Sequence, residues 1–217
     1  MKKLFILSLI AAAAFASCKK KENTISEVHT YSTPLITVSG AQYYSINVGG
    51  ALPTISATAY DTFYNENCPV IMDASQLDNS TPGLYAVTLS AKNKYGMKTS
   101  TSVYVAVTDV ASSLDITGWY QRNGTPGRSA HITKVANGMF MTDNVGGVDT
   151  TDPATGARIA AVFAVTSTAS IDFGTQETAG GVLSASDETL SLSTPYTVAY
   201  AISLSGFGTQ VRTFVKQ

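Results

Sequence analysis

Thr81-Pro82-Gly83-Leu84-Tyr85-Ala86-Val87-Thr88-Leu89-Ser90-Ala91-Lys92-Asn93-Lys94-Tyr95-Gly96, with the valine-rich run Ser102 to Thr108 behind it, decides the fold of this chain. Tyr85, Val87, Leu89 and Ala91 alternate with Ala86, Thr88 and Ser90. Val103, Val105 and Val107 alternate with Tyr104 and Ala106. A period of two puts each set on one side of a strand, so both strands offer an apolar face to a partner sheet. Asn93-Lys94-Tyr95-Gly96 between them is turn chemistry, and it predicts a hairpin.

Working outward, Pro34 to Ser39, Tyr43 to Val48 and Thr54 to Asp61 alternate in the same way and are separated by glycine and proline. Residues 34–109 are therefore expected to form a small β-sandwich. The stretch Thr81-Pro82-Gly83-Leu84-Tyr85-Ala86-Val87 resembles the bacterial immunoglobulin-like module in which "TPG-x-Y-x-V" leads into a strand. Leu35 to Gly40 and Val48-Gly49-Gly50 fit that module's opening strand and first turn. The resemblance covers about 75 residues. It implies that Tyr85 is a tyrosine corner, its ring in the sandwich and its hydroxyl bonded to nearby backbone. Cys68 is expected to be a structural, unpaired cysteine.

The composition agrees with a β-rich chain. Only 13% of the 217 residues are charged, against roughly 25% in a typical domain, while serine and threonine number 51. Acidic residues number 15 and basic residues 14, so there is no net field to recruit nucleic acid. Two cysteines and two histidines give little material for a metal cluster, and no metal or other cofactor is expected.

Beyond a joint at Thr108 to Asp115, residues 116–217 show eight further candidate strands. These are Ile116 to Arg122, Ala130 to Ala136, Met139 to Asp143, Arg158 to Val165, Ala169 to Phe173, Thr189 to Leu192, Tyr196 to Ser203 and Val211 to Lys216. An antiparallel meander, closed as a barrel or folded as a second sandwich, follows, and the fold class is all-β. Gly118-Trp119-Tyr120-Gln121-Arg122, with Val135 to Asp143 and the pair Gly146-Gly147, resembles the C-terminal domain of two-domain Bacteroidetes lipoproteins. In that family the domain follows an Ig-like module, often beside SusC/SusD-type nutrient importers.

The N-terminus reads as an address. Met1-Lys2-Lys3 precedes an apolar run from Leu4 to Phe15, too short to span a bilayer, which needs about 20 residues. Residues 1–17 are read as a signal peptide. Phe15-Ala16-Ser17-Cys18 resembles the lipobox of bacterial lipoproteins, which implies cleavage before Cys18 and diacylglycerol on its thiol. Residues 18–33 are polar and aperiodic and are read as a lipidated cysteine and its tether. Lys19 after the cysteine implies release to the outer membrane. Whether the protein faces the surface or the periplasm stays open.

Tyr60-Asp61-Thr62-Phe63-Tyr64-Asn65-Glu66-Asn67 combines rings with amides and carboxylates, the groups used in carbohydrate or peptide recognition. Its oxygen donors match no established calcium loop. Phe63, Tyr64, Trp119 and Tyr120 are the candidate contact residues, with core packing the alternative role for Trp119 and capping of the sandwich the alternative for Tyr60 and Phe63. Arg122 and Arg128 flank the loop Asn123 to Gly127, where an anionic ligand would meet them. No catalytic constellation stands out: Gly127-Arg128-Ser129-Ala130-His131 is not a nucleophile elbow, and Asp187-Glu188 sits in a serine-rich turn. The expected protein is a non-catalytic, membrane-anchored accessory of a SusC/SusD-type uptake system that binds oligosaccharide or peptide or docks on the importer. The alternative is a structural or adhesive envelope lipoprotein with protein partners only.

Overall fold

The computed structural model describes residues 32–149, 151 and 157–217; Cys18, the signal segment and nearly all of the tether lie outside the described residues. The described residues are all-β, and none forms a helix long and apolar enough to cross a membrane.

Seven strands build the sandwich: β1 (Leu35–Ser39), β2 (Tyr43–Ile46), β3 (Ser56–Asp61), β4 (Glu66–Cys68), β5 (Val70–Asp73), β6 (Gly83–Lys92) and β7 (Lys98–Val107). One sheet runs β1-β3-β4 and the other β2-β7-β6-β5. The expected hairpin is β6–β7, in unbroken register from Gly83 opposite Val107 to Lys92 opposite Lys98. Val87, Leu89, Ala91, Val103, Val105 and Val107 are buried, as their alternation requires. β2 lies parallel to the end of β7.

Strands β4 and β5 carry no alternation in the sequence. They form one extended stretch that changes sheets at Pro69, a residue that cannot donate to a ladder and so suits the crossing point. Cys68, the last residue of β4, is buried against Ala59 and Ala91. Burial first, and then the nearby charges of Glu66 and Asp61, push its thiol pKa up, which keeps it an unreactive structural residue.

The remaining strands are β8 (Gly118–Arg122), β9 (Ser129–Ala136), β10 (Met139–Thr142), β11 (Ala161–Ser167), β12 (Ser170–Asp172), β13 (Gln176–Thr178), β14 (Gly181–Ser191), β15 (Thr197–Ser203) and β16 (Arg212–Lys216). Eight of them close an antiparallel barrel in the order β12-β11-β10-β9-β8-β16-β15-β14, with β14 returning to β12 where Ser170 meets Thr189. β13 pairs with the first part of β14. Of the two architectures left open by the sequence, the barrel is the one adopted. Its interior is filled by rings: Phe140 on Phe163 at 6.0 Å, Phe163 on Phe173 at 5.1 Å, Phe173 on Tyr200 at 4.7 Å and Tyr200 on Phe214 at 5.6 Å. An eight-stranded barrel has about the width that side chains alone can fill.

Sandwich and barrel share an apolar cluster, in which Leu84 and Ala106 meet Met139, Val162 and Ala164. Two hydrogen bonds lock the contact: the Leu84 amide donates to Asp172 Oδ2 at 2.7 Å, and the Thr108 hydroxyl donates to the Val165 carbonyl at 2.6 Å. The expected joint therefore begins with a buried residue, Thr108.

Candidate functional site

Two turns meet at the end of the sandwich farthest from Leu84: residues 62–65 between β3 and β4, and residues 93–97 between β6 and β7. Asp61 is fully buried there, and its Oδ1 accepts from the amides of Phe63 at 3.0 Å and Tyr64 at 3.2 Å. Asn93, also buried, uses its Oδ1 to accept from the amides of Tyr95 and Met97, both at 3.0 Å. Its Nδ2 donates to Asp61 Oδ2 at 2.9 Å and to the Ser32 carbonyl at 2.8 Å. Each side chain shapes its own turn, and the bond between them ties the turns together. Burial by itself raises the Asp61 pKa, but the bonds from Asn93, the Tyr64 amide, Ser32 and the Phe63 amide outweigh it and hold the carboxyl below its ordinary value.

The tied turns present aromatic rings to solvent. Phe63 meets Tyr64 edge-on at 4.9 Å, and Tyr64 packs on Tyr95 at 4.4 Å. Phe63 is 60% exposed and Tyr95 57%. Lys94 Nζ lies 5.3 Å from the centres of both the Tyr64 and Tyr95 rings and 3.6 Å from Glu66 Oε2. The Tyr60 hydroxyl donates to Asn65 Oδ1. Of the loop's oxygen donors, Asp61, Asn65 and Glu66 are thus turned toward protein partners, while Asn67 is exposed. The result is a platform of apolar ring faces bordered by an ammonium, a carboxylate and an amide. Hairpin β6–β7, ten residues long, places it about 30 Å from the barrel contact at Leu84.

Trp119 and Tyr120 do not join this platform, since both lie on β8 of the barrel. Trp119 is 53% exposed on the outer wall, its indole 4.7 Å from the ring of His131, its cross-strand partner. It is not a core residue. Tyr120, expected as a contact aromatic, is fully buried, and its hydroxyl donates to the Ile116 carbonyl at 2.7 Å. That assignment is corrected: successive residues of a strand face opposite ways, so exposing Trp119 buries Tyr120. Cys18 lies outside the described residues.

Tyr95 is the ring of this platform that the sequence does not single out. It appeared only as a hairpin tip, and no local pattern reports that residues 62–65 fold against it. Asn93 is legible as hairpin-turn chemistry and Asp61 as a polar group of the 60–67 loop, but the bond that ties the two turns is not local and leaves no sequence pattern.

Of the acidic pair in β14, Asp187 is exposed at φ +55° on a bulge that breaks the pairing with β15 between Ser186 and Thr189. Glu188 accepts from the Phe173 amide at 2.7 Å, across the seam where β14 meets β12. Burial pushes its pKa up to about 7, with the Phe173 amide opposing and the charge of Asp172 adding to the rise. The two carboxylates hold separate positions, one in solvent and one structural.

No family profile matches the chain, and no curated protein does. Among solved structures, the chain is similar to the crystal structure of a lipoprotein from Bacteroides thetaiotaomicron. The identity is 18%, the match covers 84% of this chain and 100% of that chain, and the TM-score is 0.37.

Proposed function

We propose that this protein is a non-catalytic, lipid-anchored outer-membrane protein. In this reading it serves as an accessory of a SusC/SusD-type uptake system and offers the platform of Phe63, Tyr64 and Tyr95 to an oligosaccharide or peptide. The observation that carries the reading is a contrast of burial. Asp61 and Asn93 are sequestered to hold two turns, while Phe63 and Tyr95 on those turns stay exposed, with the half-buried Tyr64 packed against both. Rigid, solvent-facing rings lose little freedom when a flat apolar partner covers them, and the neighbouring polar groups orient that partner. The anchor rests on the lipobox resemblance at Cys18.

Titration calorimetry of the full chain in detergent, against neutral oligosaccharides and short peptides, tests the binding. Heat that disappears in Phe63→Ala with Tyr95→Ala, at an unchanged melting temperature, is the expected outcome. Absence of heat across the panel, with an importer copurifying, would replace ligand binding by docking.

A further inference from the structure

Three arginines converge on a cleft at one mouth of the barrel. The β8–β9 hairpin brings Arg122 and Arg128 together, the Arg122 amide donating to the Arg128 carbonyl at 2.9 Å. Arg212 opens β16 beside them. With Gly146, Gly147 and the β15–β16 loop they enclose a cleft of roughly 400 Å³, whose apolar wall is Val148, Ile159 and Phe207. That volume lies within the range of small-molecule sites.

Among the described residues, no ion pair offsets the charge of these arginines. Arg212 is buried, yet it spends three of its N–H groups on carbonyls: Nε on Gly146 at 3.0 Å, Nη1 on Gln210 at 2.9 Å and Nη2 on Gly208 at 3.1 Å. A guanidinium carries five such donors, so two remain. Among the described residues the ion pairs are Lys94 with Glu66 and Arg158 with Asp143, and neither involves the three arginines. Asp149 lies near the cleft, where a side chain on Gly127 would meet it at 3.2 Å, and it accepts from the amide and hydroxyl of Thr151 at 2.8 and 2.7 Å. Burial first and Arg128 second hold the Arg122 pKa below its ordinary value; burial and then Arg122 do the same to Arg212. Clustered like charges raise one another's cost and are relieved by an anion.

Two glycines shape the cleft around these groups. A Cβ on Gly146 would stand 2.1 Å from Phe207 Cε1, and one on Gly147, at φ +58°, would stand 3.0 Å from Arg122 Cδ. Only a bare backbone lets Phe207 and the stem of Arg122 lie this close.

We propose that this cleft binds a small molecule bearing an oxyanion, taken by the guanidinium forks of Arg122 and Arg128 over the buried charge of Arg212, with its apolar part against Val148, Ile159 and Phe207. Guanidinium forks match the paired oxygens of carboxylate and of phosphate alike. The site is separate from the aromatic platform and does not rest on its reading.

The test is titration calorimetry of the full chain in detergent at low ionic strength with sodium glucuronate, inorganic phosphate and, as the neutral control, glucose. Glucuronate, phosphate or both bind, and glucose does not. Binding of glucuronate alone shows that the carbon skeleton is recognised; binding of phosphate shows that the oxyanion suffices. Affinity falls roughly tenfold or more in Arg122→Gln with Arg128→Gln, and it falls as salt shortens the Debye length. Arg128→Gln alone, with a milder loss, serves if the double variant does not fold. Phe63→Ala leaves the acid affinity unchanged, which separates this site from the platform. Failure of both acids to bind, or equal binding by the arginine variants, would overturn the proposal.

Discussion

Asn93 donates to Asp61 at 2.9 Å, and through this buried bond two turns more than 25 residues apart in sequence become one surface. Asn93 makes four bonds through its side chain, to Asp61, Ser32, Tyr95 and Met97. Truncation leaves the buried Asp61 carboxylate and three less buried backbone groups without this partner. Asn93→Ala is expected to destabilise the fold by about 2–3 kcal/mol, read as a shifted midpoint in urea denaturation.

Two tyrosines repeat one device, a hydroxyl bonded to the carbonyl four residues earlier. Tyr85 bonds Thr81 at 2.9 Å, the tyrosine corner implied by the Ig-like resemblance, and Tyr120 bonds Ile116 at 2.7 Å. The first pair is open to water and the second is buried. Tyr120→Phe is therefore expected to cost about 1–3 kcal/mol and Tyr85→Phe about 0.5–1 kcal/mol. Equal losses in paired thermal melts would contradict the difference in burial.

Glu188 sets one limb of the pH profile. Its pKa is raised from 4.5 to about 7, so the folded state holds a proton that the unfolded chain has released over that interval. Its contribution is full below about pH 4.5 and is lost as pH rises through about 7. Asp61, held below its ordinary value, acts oppositely: its contribution is present above the ordinary carboxylate range and is lost as pH falls below it. Glu188→Gln keeps an acceptor for the Phe173 amide while removing the titration. The decline in melting temperature between pH 5 and 7 should flatten in that variant, and an unaltered slope would count against the assignment.

Gly174, at φ +55°, touches the sandwich so closely that a Cβ would stand 2.4 Å from the Leu84 carbonyl oxygen. Backbone cannot swing aside as a side chain can. Gly174→Ala is expected to cost about 2–4 kcal/mol and to loosen the contact between sandwich and barrel. Calorimetry should then show a broadened or split transition where the parent protein shows one.

How much of this was legible in the sequence varies with the range of the interaction. All eight candidate strands of residues 116–217 correspond to barrel strands, because alternation of apolar residues is a local signal. β4, β5 and β13 are not legible: each is three or four residues long, and none carries an alternating apolar pattern. At the candidate site, Phe63 and Tyr64 are legible as aromatics in a polar loop, and Phe63 is the exposed one of the two. Tyr95 was not, since its partnership with Tyr64 depends on two turns meeting in space.

By itself, then, the sequence determined an all-β chain, the β6–β7 hairpin and the turn residues that bound the strands. Tertiary structure alone decided that the second set of strands closes into a barrel, through Ser170 opposite Thr189 and Arg122 opposite Phe214. It also decided that Trp119 faces out while Tyr120 faces in, and that Arg212 joins Arg122 and Arg128. The physical reason is the pleat. Alternation says that neighbouring residues point opposite ways, but which way is inside is set by the sheet's closure and by partners distant along the chain.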